Sequence, residues 1–494
     1  MQKRHNMNIL ITSSEAVPFA KTGGLADVIG TLVNELKAIG IGSTLILPLY
    51  RHIKQSANYL DIKPLDKVIS VPLGGRTVKG RLWSGKTLGG ADVYFIENDN
   101  FYDRQELYGT SEGDYPDNAS RFIFYSRGVL ETILQLGLKV DVIHCNDWQS
   151  GLIPVYLKTI YQKKLAATAT VLTVHNLGYQ GIFEQSEFPL TGLSNPDGLK
   201  FYGKINMLKA GILFADAIST VSGNYAREIL TREQGSGLDS VLRLRSDDLY
   251  GIINGIDYTD WNPADDAYIQ ANYTVEDLSG KTKCKEALQR LIGLPKSGSM
   301  LIGMVTRLSS QKGLELVGKA MKEIVRSDIQ VVILGKGDES LQQGFLKLHK
   351  RYRDHLSITT RFDNELAHKI YAGSDIFLMP SRYEPCGLGQ LIALRYGSVP
   401  VVRKTGGLTD TIREYDPANG TGTGFLFNKY SSGELVKKVK FAHKIFHDTA
   451  LWRKIRKNAM SQNFSWRKSA EAYISLYQKT LKKKEQKDAG TYRK

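Results

Sequence analysis

Residues 8–40 read NILITSSEAVPFAKTGGLADVIGTLVNELKAIG, and this stretch decides the fold. It begins with a short apolar run, Asn8–Ser13, which has the length of a buried strand. From Leu25 to Ile39 the apolar residues recur at the spacing of one helical face, and Gly40 is placed to end the helix. Between the two lies the glycine turn Thr22–Gly24. A strand, a glycine turn and a helix predict the first unit of a parallel α/β sheet.

The same alternation of β-rich runs and helical segments continues along the chain and forms two sets. The predicted strands of the first set are Asn8–Ser13, Thr44–Leu47, Val93–Ile96, Val142–Cys145, Val171–His175, Ala217–Val221 and Leu249–Ile253. Those of the second set are Leu301–Thr306, Gln330–Leu334, Ile358–Phe362, Ile376–Met379 and Val399–Val402. Turn-forming residues at 254–263 separate the sets, so we place the hinge between two α/β domains there.

The composition is that of a soluble globular protein, with 42% hydrophobic and 23% charged residues. The 66 basic residues outnumber the 50 acidic ones, a surplus that is compatible with nucleic acid, an anionic membrane or a phosphorylated substrate. Cys145, Cys284 and Cys386 are scattered and predict neither a disulfide framework nor a zinc site. The apolar run at 9–11 is too short for a signal peptide or a membrane span. We therefore expect a cytoplasmic protein.

The glycine turn of residues 22–27 recurs at 405–410, as TGGLAD and TGGLTD, each time after a predicted strand. Free backbone N–H groups and the positive dipole end at a helix start attract phosphate. Lys21 adds a cation beside the first turn, at the edge where open parallel sheets bind ligands. The pattern predicts a diphosphate site without the Walker spacing of nucleoside triphosphatases. The alternative is two turns that need glycine for a positive φ.

Charged residues also follow the predicted strands of the second half. Arg307 and Lys312 are spaced so that both can face one anion, and Glu384 follows Ile376–Met379 at the same sheet edge. Solvated surface cations and a helix N-terminal acid explain these residues equally well. His175 ends a strand near Gln180, where polar groups suit sugar hydroxyls, with a structural histidine as the alternative.

Six motifs, in order, resemble those of the bacterial glycogen synthase and plant starch synthase family, glycosyltransferase family 5. They are Lys21–Leu25, His144–Trp148, Thr173–Leu177, Asn254–Asp257, Arg307–Gly313 and Glu384–Leu388. The resemblance extends from about residue 8 to Trp466. It implies an α/β fold of GT-B type, in which two Rossmann-like domains face each other across a cleft. Residues 1–256 would form the acceptor-side domain, 257–468 the nucleotide-sugar domain, and 469–494 a helix that crosses back and a basic tail.

The resemblance also implies the activity. We expect a retaining glucosyltransferase that moves glucose from ADP-glucose to the non-reducing end of an α-1,4-glucan in glycogen biosynthesis. UDP-glucose stays open as the donor because no residue pattern distinguishes adenine from uracil. A catalytically decayed glucan- or nucleic-acid-binding protein and a dinucleotide oxidoreductase are competing hypotheses, although Gly335–Asp338 lacks the third glycine of a dinucleotide fingerprint. Nucleic-acid and membrane partners are not expected, and the oligomeric state is left open.

The family resemblance assigns catalytic roles to five residues. Arg307 and Lys312 would neutralise the departing diphosphate, and Glu384 would interact with the donor glucose. His175 would donate a hydrogen bond to the sugar, and Asp147 would line the acceptor side.

Further residues are expected to bind the donor: Lys21, Gly23, Gly24, Asp27, Asn254, Phe362, Cys386, Gly387, Leu388, Thr405 and Gly406. Phe362 stands where relatives often carry a tyrosine against the nucleobase, and Ile392 stands where some carry a second glutamate. The missing second acid disfavours a covalent intermediate, and the resemblance implies reaction on one face of the sugar, assisted by the leaving phosphate. Lys21 and Arg307 would reach one donor only when the hinge closes. Since Asp-x-Asp is absent from the sequence, neither a metal ion nor a cofactor is expected.

Overall fold

The computed structural model describes residues 7–110 and 112–491, which divide into two compact units. The first unit contains the described residues up to Val221, residues 226–252 and the C-terminal segment from Trp466. The second contains residues 222–225 and 253–465. Apart from the short excursion at 222–225, the chain passes between units at 252/253 and 465/466, where the sequence predicts 256/257 and 468/469. The C-terminal helix belongs to the first unit.

The first unit is built on a twisted α/β sheet with two small accessory sheets. Its strands are β1 (Asn8–Thr12), β2 (Gly42–Pro48), β3 (Lys63–Leu73), β4 (Arg76–Lys86), β5 (Asp92–Glu97), β6 (Gly109–Thr110), β7 (Gly113–Asp114), β8 (Val142–Asn146), β9 (Ala169–Val174), β10 (Ile182–Glu184), β11 (Lys200–Phe201), β12 (Lys204–Asn206), β13 (Ala217–Thr220) and β14 (Leu249–Gly251). The main sheet has the order β14-β13-β9-β8-β1-β2-β5-β4-β3, with every described pair parallel except β5–β4 and β4–β3.

Helices cover both faces of this sheet, as a largely parallel sheet requires. They are α1 (Gly24–Ala38), α2 (Arg51–Gln55), α3 (Asp99–Tyr102), α4 (Asn118–Leu136), α5 (Ile153–Lys158), α6 (Met207–Phe214), α7 (Gly223–Glu228), α8 (Asp239–Arg243) and α17 (Trp466–Thr491), with 3₁₀ turns at Trp148–Ser150, Gln185–Thr191 and Ser246–Asp248. Helix α7 spans the boundary between the units.

The second unit is a parallel sheet of the order β17-β16-β15-β18-β19-β20. Its strands are β15 (Met300–Val305), β16 (Ile329–Leu334), β17 (Leu356–Thr359), β18 (Ile376–Met379), β19 (Val399–Arg403) and β20 (Phe425–Phe427). Its helices are α9 (Ser279–Leu291), α10 (Leu314–Val325), α11 (Glu339–Arg351), α12 (Asn364–Gly373), α13 (Gly389–Arg395), α14 (Gly406–Thr411), α15 (Ser432–Phe446) and α16 (Thr449–Met460), with a 3₁₀ turn at Ser310–Lys312.

Strand β15 explains why this sheet needs helices on both sides. Met300, Ile302 and Met304 pack into one buried cluster, while Leu301 packs into a second. Successive side chains of a strand point to opposite faces, so each face has its own core. Such a strand is a continuous apolar run in the sequence, which makes it predictable.

One predicted strand of the second unit is misplaced. The sequence predicts Ile358–Phe362, but β17 ends at Thr359. Asp363 accepts a hydrogen bond from the Leu366 N–H at 2.9 Å and caps α12, so the chain must leave the sheet before it. Phe362 therefore lies in a loop, with 79% of its surface exposed.

The C-terminal helix α17 completes the core of the first unit. Tyr473 and Tyr477 are buried against His144, whose Nδ1 lies 2.8 Å from the Tyr477 hydroxyl. Lys483 of the predicted basic tail is not fully solvated, because it forms an ion pair with Asp248. The side chains of the tail beyond Gln486 lie outside the described residues. Across the described helices, no segment combines the length and apolar character needed to cross a membrane.

Candidate active site

Three loops of the first unit meet at the carboxyl edge of its sheet. Strands β1, β8 and β9 are neighbours, so the loops that follow them are neighbours too. The glycine turn of Lys21–Gly24 follows β1, Asp147 directly follows β8, and His175 directly follows β9. Ligands of open parallel sheets bind at this edge.

Asp147 has a strained backbone at this edge. Its φ of 55° lies in the left-handed region, which residues other than glycine rarely adopt. Its Oδ1 accepts a hydrogen bond from the His175 N–H at 2.7 Å, and the carboxylate also accepts one from the N–H of Asn176. Burial raises the pKa of Asp147 to about 7, although these two hydrogen bonds oppose the shift. This carboxylate therefore ties the β8 and β9 loops together.

The hydrogen bonds around His175 define which ring nitrogen carries its proton. The Asn146 Nδ2 donates to the carbonyls of Thr12 and His144, each at 3.1 Å, so the Oδ1 of Asn146 faces His175. The His175 Nε2 lies 2.9 Å from that oxygen and must donate to it. Burial lowers the pKa of His175 to about 3, so the ring is neutral and Nδ1 is an acceptor. This favours acceptance of a hydrogen bond from a sugar hydroxyl rather than the predicted donation.

His144 supports an expected pH dependence of stability. It is fully buried, bonded at Nε2 to Thr173 Oγ1 at 2.6 Å, and burial lowers its pKa to about 3. Below pH 6.5 the unfolded histidine takes up a proton that the folded one refuses, so stability falls as pH falls from 6.5 towards 3. At pH 5 this group should cost about 2 kcal/mol relative to pH 7.5. We expect the difference in urea unfolding free energy between these pH values to be smaller in His144→Gln.

The raised pKa of Asp147 acts in the opposite direction on stability. Its folded form keeps a proton that the unfolded form loses, so its contribution declines as pH rises from about 4 to about 7. Asp147→Asn is therefore the matched control. It removes this opposing contribution, so stability should fall more steeply as the pH falls from about 7 to about 4. Equal pH dependence in His144→Gln and the unmutated protein would contradict the expectation.

Glu15 holds the glycine turn after β1 and was missed by sequence reasoning. It is buried, and its Oε2 accepts the N–H groups of Thr22 at 2.6 Å and Gly23 at 3.1 Å. Its Oε1 accepts the hydroxyls of Thr22 and Tyr108, both at 2.7 Å. The carboxylate thus occupies two of the N–H groups that the sequence assigned to phosphate. Gly23 has a φ of −150°, so a positive φ does not explain this glycine.

The rest of the turn carries exposed charge. Lys21 Nζ and Asp27 Oδ1 form an ion pair at 2.7 Å, with side chains 46% and 38% exposed. An exposed pair of this kind contributes little to stability, so Lys21 can turn to a ligand at low cost.

Replacement of Glu15 should raise the KM for the donor substrate. Glu15→Ala removes the acceptor for four hydrogen bonds that shape the turn, and we expect the donor KM to rise about tenfold or more. Tyr108→Phe removes one of these bonds and should raise KM about threefold. Steady-state kinetics with varied donor measure both. Glu106→Ala, an exposed neighbour, is the control, and an unchanged KM in Glu15→Ala would refute the role.

Lys312 and Glu384 form the charged centre of the second unit. Both lie beyond the carboxyl ends of β15 and β18, which are adjacent strands. Lys312 Nζ lies 2.7 Å from Glu384 Oε2, with the two side chains 17% and 6% exposed. Ser381 Oγ donates to the same oxygen at 2.9 Å. No described residue donates a hydrogen bond to Oε1 of Glu384, so this oxygen is available to a ligand.

The second glycine turn packs against the loop that carries Glu384. Gly406 has a φ of +44°, and a Cβ there would lie 1.9 Å from the Glu384 carbonyl oxygen. A Cβ on Gly407 would lie 2.4 Å from the Cys386 carbonyl oxygen, and the Gly407 N–H donates to the Glu384 carbonyl at 3.0 Å. Only glycine permits this close approach. Thr405, the residue before the turn, is also buried.

The remaining candidates of the second unit differ in accessibility. Arg307 is exposed, and Gly387 and Leu388 are half-buried beside the buried Cys386. Asn254 is buried next to Cys386, which contacts its backbone, and its Oδ1 has no hydrogen-bond partner among the described residues. A buried acceptor without a partner suits a ligand donor. The exposed Phe362 is free to stack on a base but is not positioned by the sheet.

Within the described ranges, no group of three or more His, Cys, Asp or Glu side chains is placed to hold a metal ion.

Both α/β sheets carry charged loops at their carboxyl edges, and comparison with known proteins identifies the class as a glycosyltransferase. Residues 8–244 match the family described as the starch synthase catalytic domain, and residues 289–462 match glycosyl transferases group 1. The fold is shared with a sucrose-phosphate synthase from Thermosynechococcus elongatus, at a TM-score of 0.61 and 17% identity over 96% of this chain and 98% of that one.

Longer and closer similarities define the family. A glycogen synthase of Thermotoga maritima is 47% identical over 97% of this chain and 99% of its own length, and one of Syntrophotalea carbinolica is 45% identical over 96% and 99%. The catalytic domain of Arabidopsis thaliana starch synthase IV, bound to ADP and acarbose, has a TM-score of 0.88 at 34% identity, covering 97% of this chain and all of that one. The chain belongs to the glycogen synthase and starch synthase family and is a glucosyltransferase of glycogen synthesis. The predicted family and the GT-B fold class are confirmed.

Proposed function

We propose that the protein transfers glucose from ADP-glucose to the non-reducing end of an α-1,4-glucan with retention of the anomeric configuration. The observation that carries this proposal is the largely buried Lys312–Glu384 pair at the carboxyl edge of the second sheet. It offers a cation for a diphosphate and a carboxylate for a glucose in the same place. Starch synthase IV, which was solved with ADP and acarbose, supports the choice of adenine nucleotide and glucan.

The chemistry follows from the charges. As the bond between glucose C1 and the diphosphate oxygen breaks, negative charge develops on the diphosphate and positive charge on the sugar. Lys312 and Arg307 would balance the negative charge on the diphosphate. The free Oε1 of Glu384 would stabilise the positive charge on the sugar. The acceptor 4-hydroxyl then bonds to C1 from the side the diphosphate leaves, and its proton passes to a phosphate oxygen.

Retaining glycosidases form a covalent glycosyl intermediate with a pair of carboxylates near the sugar. Ile392, where some relatives carry a second glutamate, is a buried residue of α13 that packs in the apolar core. Ser381, which donates to Glu384, is neutral and serves to hold that carboxylate in place. Both residues support a reaction on one face of the sugar, in which Glu384 forms no covalent bond to glucose C1.

In the first unit, His175 and Asp147 would serve the sugar and the acceptor. The neutral Nδ1 of His175 would accept a hydrogen bond from a sugar hydroxyl. Asp147 would hold the β8 and β9 loops and line the acceptor side. That Lys21 and Arg307 bind one donor, with closure of the hinge, stays a prediction.

The test supplies ADP-glucose and UDP-glucose separately with glycogen and follows polymer-bound glucose. We expect incorporation from ADP-glucose at a higher kcat/KM, and new linkages with the α-anomeric signal in the proton NMR spectrum. Preference for UDP-glucose would overturn the donor assignment, and incorporation from neither would overturn the enzyme. In that case salt-sensitive binding without turnover would favour the decayed binding protein.

Removal of divalent metal should leave the activity intact. We propose that cationic side chains, and no metal ion, neutralise the donor diphosphate. Treatment with EDTA followed by gel filtration should leave kcat within about twofold, because side-chain cations replace the usual Mg²⁺. The measurement is the initial rate with and without added MgCl₂. Loss of activity that MgCl₂ restores would contradict it.

A cytoplasmic location and the absence of nucleic-acid and membrane partners stay predictions. Cell fractionation and filter binding to DNA would test them.

A further inference from the structure

The second unit contains a cavity of about 510 Å³ that glucosyl transfer does not use. Its walls come from α9, the loop at 296–298, α15 and α16, together with Asp375. Asp375 directly precedes β18, whose other end leads to Glu384. The cavity therefore lies at the amino edge of the sheet, opposite the candidate active site.

Two cations share one carboxylate in this cavity. Asp375 is buried, with its Oδ2 2.6 Å from Lys285 Nζ and its Oδ1 2.5 Å from an Nη of Arg456. Burial opposes ionisation, yet Lys285 and Arg456 hold the pKa of Asp375 below its usual value. The carboxylate is thus ionised, and the group of three keeps an excess of one positive charge.

Arg456 has hydrogen-bonding capacity left over. A guanidinium has five N–H donors, and this one gives a hydrogen bond to Asp375 through Nη2 alone. Its Nε is buried without a partner among the described residues. The guanidinium carbon lies 5.3 Å from the centre of the Trp452 ring, a cation–π contact.

The rim of the cavity supplies a third cation, which can move. Lys296 pairs with Glu286 at 2.9 Å, and the two side chains are 62% and 38% exposed. Such a pair contributes little to stability, so its ammonium can turn to a ligand at small cost. Phe446 gives an apolar wall beside Lys285, whose Nζ lies 5.2 Å from the ring centre.

We propose that this cavity binds a small phosphate monoester. The unused donors of Arg456 match the geometry of phosphate oxygens, and Lys296 adds a second contact. The volume is within the range of small-molecule sites, about 300–1,000 Å³, which leaves room for an organic body against Phe446. The excess positive charge selects an anion, and the size excludes a polymer. The site is independent of the proposed transfer reaction.

Isothermal titration of the full chain with glycerol phosphate, and separately with inorganic phosphate, tests the proposal. ADP is present in excess so that diphosphate sites are filled, and ionic strength is constant. We expect saturable binding of both anions, with glycerol phosphate binding more tightly. Weaker binding of glycerol phosphate than of inorganic phosphate, or no saturable binding of either, would overturn the site.

Variants locate the binding. Lys296→Gln should weaken it about threefold through loss of an exposed cation, and Arg456→Lys about tenfold, because lysine keeps the charge beside Asp375 but loses the fork. Lys347→Gln, an equal charge change on the exposed face of α11, should leave it unchanged. Binding that neither Lys296→Gln nor Arg456→Lys alters would refute the assignment. If Arg456→Lys does not fold, the exposed Lys296 decides alone.

Discussion

Arg307→Ala and Lys312→Ala should each lower kcat with ADP-glucose by at least about a hundredfold, the effect of losing about 3 kcal/mol of transition-state stabilisation. Both side chains are cations beyond the end of β15, where the proposed diphosphate gains charge as it leaves. A surface charge far from the diphosphate would not have this effect, because solvent and salt screen it. Initial rates at saturating donor and acceptor measure the loss.

The two variants separate catalysis from folding. Arg307 is exposed, so its removal should leave the urea midpoint unchanged. Lys312 is largely buried against Glu384, and its removal leaves that carboxylate without a counter-charge, which should cost about 3 kcal/mol of stability. Arg326→Ala, an exposed change in the same unit, is the control. A kcat for Arg307→Ala within a factor of about three of the unmutated enzyme would remove Arg307 from the reaction.

Glu384→Gln should lower kcat by about a hundredfold or more, because an amide cannot stabilise the positive charge that develops on the sugar. The shape of the side chain is kept, and Ser381 can still donate to its oxygen. The loss should therefore appear in kcat more than in the donor KM. Rates at several donor concentrations separate the two constants.

A matched change tests whether charge alone is responsible. Glu365→Gln breaks an exposed pair with Lys369 on α12 and should leave kcat unchanged. If Glu384→Gln retained most of its activity while Glu384→Ala did not, the side chain would fill space and not stabilise charge. The proposed role would then be wrong.

Prediction from the sequence worked best where burial on both sides makes a strand continuously apolar. Strands β1, β8 and β15 were located for this reason, and parallel pairing then placed Lys312 and Glu384 at one edge. The hairpin β3–β4 was missed because its residues alternate between exposed and buried and many are charged. The sequence signal for this hairpin was the glycine pair Gly74–Gly75 between two segments of alternating polarity. In the structure both glycines have a positive φ.

The parts of the site that were missed depend on contacts that the sequence does not encode locally. Glu15 accepts a hydrogen bond from Tyr108, 93 residues away along the chain. Nothing in the sequence around either residue indicates that the two are in contact. Ser381 lies three residues from Glu384, and a serine in a loop has many uses. The role of Asn146 in setting the His175 tautomer needed the orientation of its amide.

The C-terminal helix has a consequence for how the protein is made. Because α17 belongs to the first unit and buries Tyr477 against His144, ribosomes must synthesise almost the entire chain before that unit can close its core. Residues 253–465 emerge earlier and without interruption, so this later-encoded part can finish folding while the earlier-encoded part still waits for its last helix. Nascent chains stalled before residue 466 would expose the surface around His144 to chaperones.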